Sequence, residues 1–127
     1  MNFTYKVGLS KVHAHISEEH VNILFGQDYK LTPETDTSYR HYDVKEKVDI
    51  VGPKGVINDV NINVSHIKET LVEIYMSDCI LLGLIGDHIK DFTDLQELKN
   101  IHAMPNFKLR GPKGEVEVGK DDIFLLA

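Results

Sequence analysis

Val44-Lys-Glu-Lys-Val-Asp-Ile-Val51, Gly52-Pro-Lys-Gly55 and Val56-Ile-Asn-Asp-Val-Asn-Ile-Asn-Val64 follow one another without a gap. On both sides of the tetrapeptide, apolar β-branched residues alternate with polar ones. That is the period of a half-buried strand rather than of a helix. Pro53 presets φ, and Gly55 tolerates a left-handed conformation, so the tetrapeptide reads as a tight turn between two strands. The same four residues return at Gly111-Pro-Lys-Gly114, between Phe107-Lys-Leu-Arg110 and Glu115-Val-Glu-Val118. We read this second copy as a short internal echo of one hairpin signal, not as an array repeat.

Outward from these hairpins, the other elements are short. Residues 3–9 alternate apolar and polar, and the strand they predict runs on through Val12, His13 and His15. Ser17 is placed as an N-cap, Glu18 and Glu19 suit the positive end of a helix, and Val21, Leu24 and Phe25 share one face before Gly26 ends the run. Thr70–Met76 predicts a strand with Leu71, Glu73 and Tyr75 on one side and Val72 and Ile74 on the other. Residues 77–83 read as a capped single helical turn stopped by Gly83. Within 86–105, Phe92, Leu95 and Leu98 have helical spacing. Asp121–Ala127 reads as a closing strand. Many short strands, one or two small helices and no linker rich in Gly, Ser or Pro predict a mainly β fold, a small β-barrel formed as a single domain over residues 1–127.

The totals agree. A chain of 127 residues with 42% hydrophobic and 27% charged side chains is long enough to bury a core and too apolar to be disordered. Its net charge of -6, without a basic stripe, argues against binding a nucleic-acid backbone. The longest apolar run, Cys79–Gly86, is too short to span a bilayer, and the N-terminus has no secretory core. Cys79 is the single cysteine, so no intrachain disulfide forms. We expect a cytoplasmic protein with neither a membrane nor a nucleic-acid partner.

The chemistry-bearing stretch is Val12-His-Ala-His15. Residues i and i+2 of a strand face one way, so the two imidazoles can chelate one ion. Zinc accepts such nitrogens and needs a third protein ligand. Glu73, an acid in mid-strand, is the candidate; Lys6, Lys45 and Lys47 are alternative partners for it, and a solvated face is the plainer reading. His20 is expected to be exposed, and His41, His66, His88 and His102 to lie on surfaces or loops. Both Gly-Pro-Lys-Gly sequences lack the spacing of a phosphate-binding loop, and turns are the better reading. Cys79 reads as a buried structural thiol, and Ser10 and Ser17 have no triad context.

Taken in order, Val7-Gly-Leu-Ser-Lys-Val-His-Ala-His-Ile-Ser17, Leu24-Phe-Gly26, Tyr29-Lys-Leu-Thr-Pro33, Val51-Gly-Pro-Lys-Gly55, Val72-Glu-Ile74, Ser77-Asp78, Leu82-Gly83 and the second Gly-Pro-Lys-Gly resemble the phosphate propanoyltransferase family of the PduL type. The resemblance covers roughly residues 6–126. It implies a phosphotransacylase that moves an acyl group between coenzyme A and inorganic phosphate, built from two β-barrels with a two-zinc site. It also implies that His13, His15 and Glu73 hold the first zinc, which the coenzyme A thiol approaches. The family's second barrel, with its own His-x-His, has no counterpart here. Ile67 stands where the family has a phosphate-binding arginine, leaving Lys68 and Arg40 as the basic candidates.

Three readings follow. In the first, the chain is a phosphotransacylase that uses acyl-CoA and phosphate, its site completed by a second chain in a homo-oligomer or by a partner chain. In the second, it is a non-catalytic zinc- and coenzyme A-binding module or regulatory subunit derived from that family. In the third, it is a metal-free scaffold.

Overall fold

A computed structural model describes residues 12–34, 41–86 and 104–126. The described elements are β1 (His13–His15), α1 (Glu18–Phe25), β2 (Tyr42–Val51), β3 (Val56–Val64), β4 (Leu71–Ile74), α2 (Met76–Leu82), β5 (Phe107–Arg110), β6 (Glu115–Val118), a 3₁₀ turn (Lys120–Asp122) and β7 (Ile123–Leu125). The strands form one seven-stranded sheet in the order β6-β5-β2-β3-β1-β4-β7, curled into a half-barrel with two helices. No helix among the described residues is long and apolar enough to cross a membrane.

Both Gly-Pro-Lys-Gly sequences close antiparallel hairpins. The amide of Gly52 donates to the carbonyl of Gly55 at 2.8 Å, and that of Gly111 to Gly114 at 2.9 Å. The alternation that predicted these strands also sets their burial. Val44, Val48, Ile50, Val60 and Ile62 turn inward, and the residues between them face water or the sheet's flanks.

The echo turns out to mark two equivalent halves. A shift of 58 residues takes His15 to Glu73, and with it β1 to β4. The antiparallel β1–β4 ladder pairs His13 with Glu73, Ala14 with Val72 and His15 with Leu71. That register maps onto itself under the shift, so a local two-fold axis passes between Ala14 and Val72. β1 runs parallel to β3 with Ala14 beside Ile62, and β4 runs parallel to β7 with Val72 beside Ile123. The second half interrupts its last strand with the 3₁₀ turn, so β6 and β7 together match the unbroken β3.

The halves lock by exchanging their turns. The amide of Lys54, in the first hairpin turn, donates to the carbonyl of Leu82 at the end of α2, at 3.0 Å. The amide of Lys113, in the second, donates to Leu24 of α1 at 2.9 Å. These bonds satisfy carbonyls that a helix end otherwise leaves without partners. They also bring the turns so close that a Cβ on Gly52 would strike the carbonyl oxygen of Leu82, and one on Gly111 that of Leu24. Glycine is required there by proximity.

α1 begins and ends as its sequence predicts. Ser17 Oγ accepts from the His20 amide, Glu18 and Glu19 lie in the first turn, and Gly26 follows the last residue. α2 is longer than a single turn. It starts one residue before Ser77, with Tyr75 at the cap position, because Asp78 Oδ2 folds back to accept from the Tyr75 amide at 2.8 Å. The closing strand is likewise shorter than the sequence suggests, because Asp122 Oδ2 accepts from the Gly119 amide and draws residues 120–122 into the 3₁₀ turn. Cys79 is fully buried, as expected. The strand expected over residues 3–9 and the helical spacing of Phe92, Leu95 and Leu98 lie outside the described residues.

Candidate metal centre

β1 and β4 position the candidate ligands. Ala14, Val72 and Ile74 enter the core, so strand alternation turns His13, His15, Leu71 and Glu73 to the opposite face. Direct pairing of His13 with Glu73 across the ladder sets the carboxylate beside both rings. Glu73 Oε2 lies 2.9 Å from His13 Nε2 and 2.7 Å from His15 Nε2. With a proton on Nε2, either ring donates to this oxygen. The rings meet edge to face, their centroids 5.0 Å apart. Each of the three residues offers a ligand atom, and these atoms lie within 4.8 Å of one another.

The trio sits in a partly dry place. The His15 side chain is 4% exposed, that of Glu73 18% and that of His13 24%. An acid held at that depth needs a compensating partner, and the imidazoles supply it. Of the lysines weighed for that role, Lys47 is engaged elsewhere, its Nζ donating to Asn61 Oδ1, and Lys45 is exposed. Lys6 lies outside the described residues. On its far side, His15 Nδ1 is 3.5 Å from Ser65 Oγ, a hydroxyl that also accepts from the Ile67 amide. Nothing in the local sequence marks Ser65, because this contact depends on how the end of β3 curls over β1.

His20 is half-buried rather than exposed. Its Nδ1 lies 2.5 Å from Thr70 Oγ1, which also accepts from the Ser17 amide at 3.0 Å. The buried Thr70, just before β4, thus ties the start of α1 to the strand that carries Glu73. A threonine at a strand end carries no signal of such a role.

Lys68 is exposed, and its Nζ donates to the Ser65 carbonyl at 3.2 Å. It rims a groove of about 740 Å³ between α1 and the end of β3, lined among others by Ile16, Tyr29, Lys30, Ser65 and Ile67. Ser65 therefore touches both the groove and His15. The groove is not uniformly basic, since Glu18 and Asp28 also line it. Arg40 lies outside the described residues.

A family model described as phosphate propanoyltransferase matches residues 6–125. Among curated proteins, the phosphate propanoyltransferase of Clostridioides difficile is 40% identical over 116 residues, covering 91% of this chain and 52% of the relative. That of Thermotoga maritima is 38% identical over 109 residues, covering 85% of this chain and 49% of the relative. That of Sebaldella termitidis is 42% identical over 83 residues, covering 65% of this chain and 39% of the relative. The chain thus spans about half the length of the curated relatives it matches or less. With a family match along almost its whole length and this level of identity, the chain belongs to the phosphate propanoyltransferase family.

Proposed function

We propose that this chain carries the metal-holding part of a phosphotransacylase that moves an acyl group between coenzyme A and inorganic phosphate. The observation that carries the reading is the convergence of His13, His15 and Glu73 on one sheet face, in a chain of this family. Two imidazoles and a carboxylate are a donor set that zinc takes, and three protein ligands are the number typical of a catalytic site. His13 and His15 would hold the ion through Nε2 and Glu73 through its carboxylate. Zinc bound there supplies a Lewis acid and a lowered pKa for a coordinated thiol.

The chain's own residues supply positioning. β1 fixes both rings on one face, and the Glu73 carboxylate draws their Nε2 atoms together. Ser65 stands at the outer edge of His15, where a neighbour orients a ligand ring. In the reaction, a phosphate oxygen attacks the thioester carbonyl. A C–O bond forms, the C–S bond breaks, and the sulfur takes the proton that the hydrogen phosphate gives up, so that coenzyme A leaves as the thiol. Lys68, beside Ser65 on the groove rim, is the described residue we assign to the phosphate, with Arg40 as the other candidate. We also propose that a second copy or a partner chain completes the site, because Ile67 stands where the family has a phosphate-binding arginine.

The test is phosphate-dependent release of free thiol from acetyl-CoA or propanoyl-CoA by zinc-loaded protein. We expect release that is abolished by Glu73→Gln. Zinc and coenzyme A binding without turnover would instead assign a non-catalytic module, the reading favoured by Ile67 at the family's arginine position.

A further inference from the structure

Strand pairing gives the candidate centre two unlike flanks. On one side β1 runs parallel to β3, and His13 is paired with Asn61. Asn61 and Asn63 share the outward side of β3, and both are held in polar contacts. Asn61 Oδ1 accepts from Lys47 Nζ, and Asn63 Nδ2 donates to Asp43 Oδ1. On the other side β4 runs parallel to β7, and Glu73 is paired with Phe124. Ile123 is buried, so alternation turns Phe124 to the face that carries His13, His15 and Glu73. The local two-fold that takes His15 to Glu73 takes Asn63 to Phe124. The first half therefore has an amide where the second has an aromatic ring. That ring is 57% exposed, the most exposed large apolar side chain among the described residues. Leu71, half-buried on the same face, extends the apolar flank.

We propose that Phe124 is the wall on which the acyl chain of the thioester lies, and that it favours saturated chains longer than acetyl. The inference rests on the phosphotransacylase reading above and deepens it by assigning the acyl side of the site. Neighbouring strands are about 4.8 Å apart, so the ring begins one strand away from Glu73. A thioester carbonyl at the centre can then direct its acyl chain to one flank and receive phosphate from the other. The polar flank leads along β3 to Ser65 and Lys68, the described residues nearest to a phosphate role. The apolar flank suits methyl and methylene groups, because removing them from water onto an aromatic ring is favourable. An asparagine offers no such gain, since its amide must give up hydration to be covered.

The experiment measures binding of S-ethyl, S-propyl and S-butyl thioethers of coenzyme A to the zinc-loaded full chain by calorimetry, beside coenzyme A itself. These probes carry the alkyl chain but cannot transfer it, so neither phosphate nor turnover enters the reading. The wild type is expected to bind about two- to four-fold more tightly for each added methylene. In Phe124→Ala and Phe124→Asn the gain per methylene is expected to fall below about 1.5-fold, with zinc content unchanged. The loss should grow with chain length and be smallest for coenzyme A itself. Phe124→Leu should recover most of the gain. The side chain is exposed, so these substitutions leave the core untouched.

Unchanged gains in Phe124→Ala, or an equal loss for coenzyme A and every thioether, overturn this proposal and leave the phosphotransacylase reading standing. A variant altered only in its oligomeric state does the same and assigns Phe124 to an interface between copies. So does a wild type that binds zinc and coenzyme A but gains nothing per methylene. A wild type that binds none of these probes and releases no thiol from acyl-CoA overturns both.

Discussion

His13 and Glu73 are direct partners across the antiparallel β1–β4 ladder, with Nε2 2.9 Å from Oε2. The same oxygen reaches His15, so a single carboxylate organises both histidines. Glu73→Ala should therefore act on stability as well as on metal binding. It leaves the buried His15 nitrogen without its acceptor, at a cost of about 1–3 kcal/mol. Denaturant unfolding of metal-free protein measures this directly, and a change under about 0.5 kcal/mol would mean that the imidazoles do not depend on Glu73.

Thr70 is a second point of weakness close to the centre. Thr70→Val keeps the shape but removes the oxygen that accepts from the Ser17 amide and contacts His20. We expect a loss of about 1–3 kcal/mol and faster amide exchange in the first turn of α1. Unchanged exchange at Ser17 would remove Thr70 as the tie between helix and strand.

The swapped turns predict unequal costs for glycine substitution. Gly52→Ala drives a methyl group into the backbone of Leu82, so we expect a loss of at least about 2 kcal/mol. Gly119→Ala meets only the Asn106 side chain, which can move, and should cost less than about 1 kcal/mol. Similar melting temperatures for the two variants would contradict the close docking of the first hairpin on α2.

A strap on the groove's edge should respond to pH. Partial burial pushes the Glu46 carboxyl up, but hydrogen bonds from the Tyr29 hydroxyl and from the Thr32 amide and hydroxyl outweigh it and hold the group below its ordinary value of 4.5. A carboxyl lowered on folding stabilises the folded state above its unfolded value, and this contribution disappears as pH falls through its folded value. Wild type should therefore be more stable than Glu46→Ala at pH 7, by no more than about 1 kcal/mol given the exposure of the site. The two should converge well below pH 4.5. A difference that persists in acid would place the strap's contribution elsewhere.

The hairpins, α1 and the inward faces of the long strands were legible because each depends on local chemistry: alternation, a turn sequence, a cap and a glycine stop. The His13, His15 and Glu73 set was legible for a different reason. The pair follows from strand period, whereas Glu73 came from family resemblance and from the oddity of an acid in mid-strand. What the sequence hid is non-local. The two Gly-Pro-Lys-Gly turns resemble each other, but nothing in them says that each docks on the other half's helix. Thr70, Ser65 and His20 acquire their contacts only when β3, β4 and α1 meet. The start of α2 shifted because a single acidic side chain, Asp78, folded back on the chain.

We propose above that His13, His15 and Glu73 form a metal centre. The most direct measurement is zinc content per chain by elemental analysis, on protein purified without chelator or histidine tag, beside the His13→Ala, His15→Ala double variant. We expect about one zinc per chain in the wild type and none retained in the variant. A wild type that holds no zinc even after zinc is offered, or a double variant that holds as much, would contradict it.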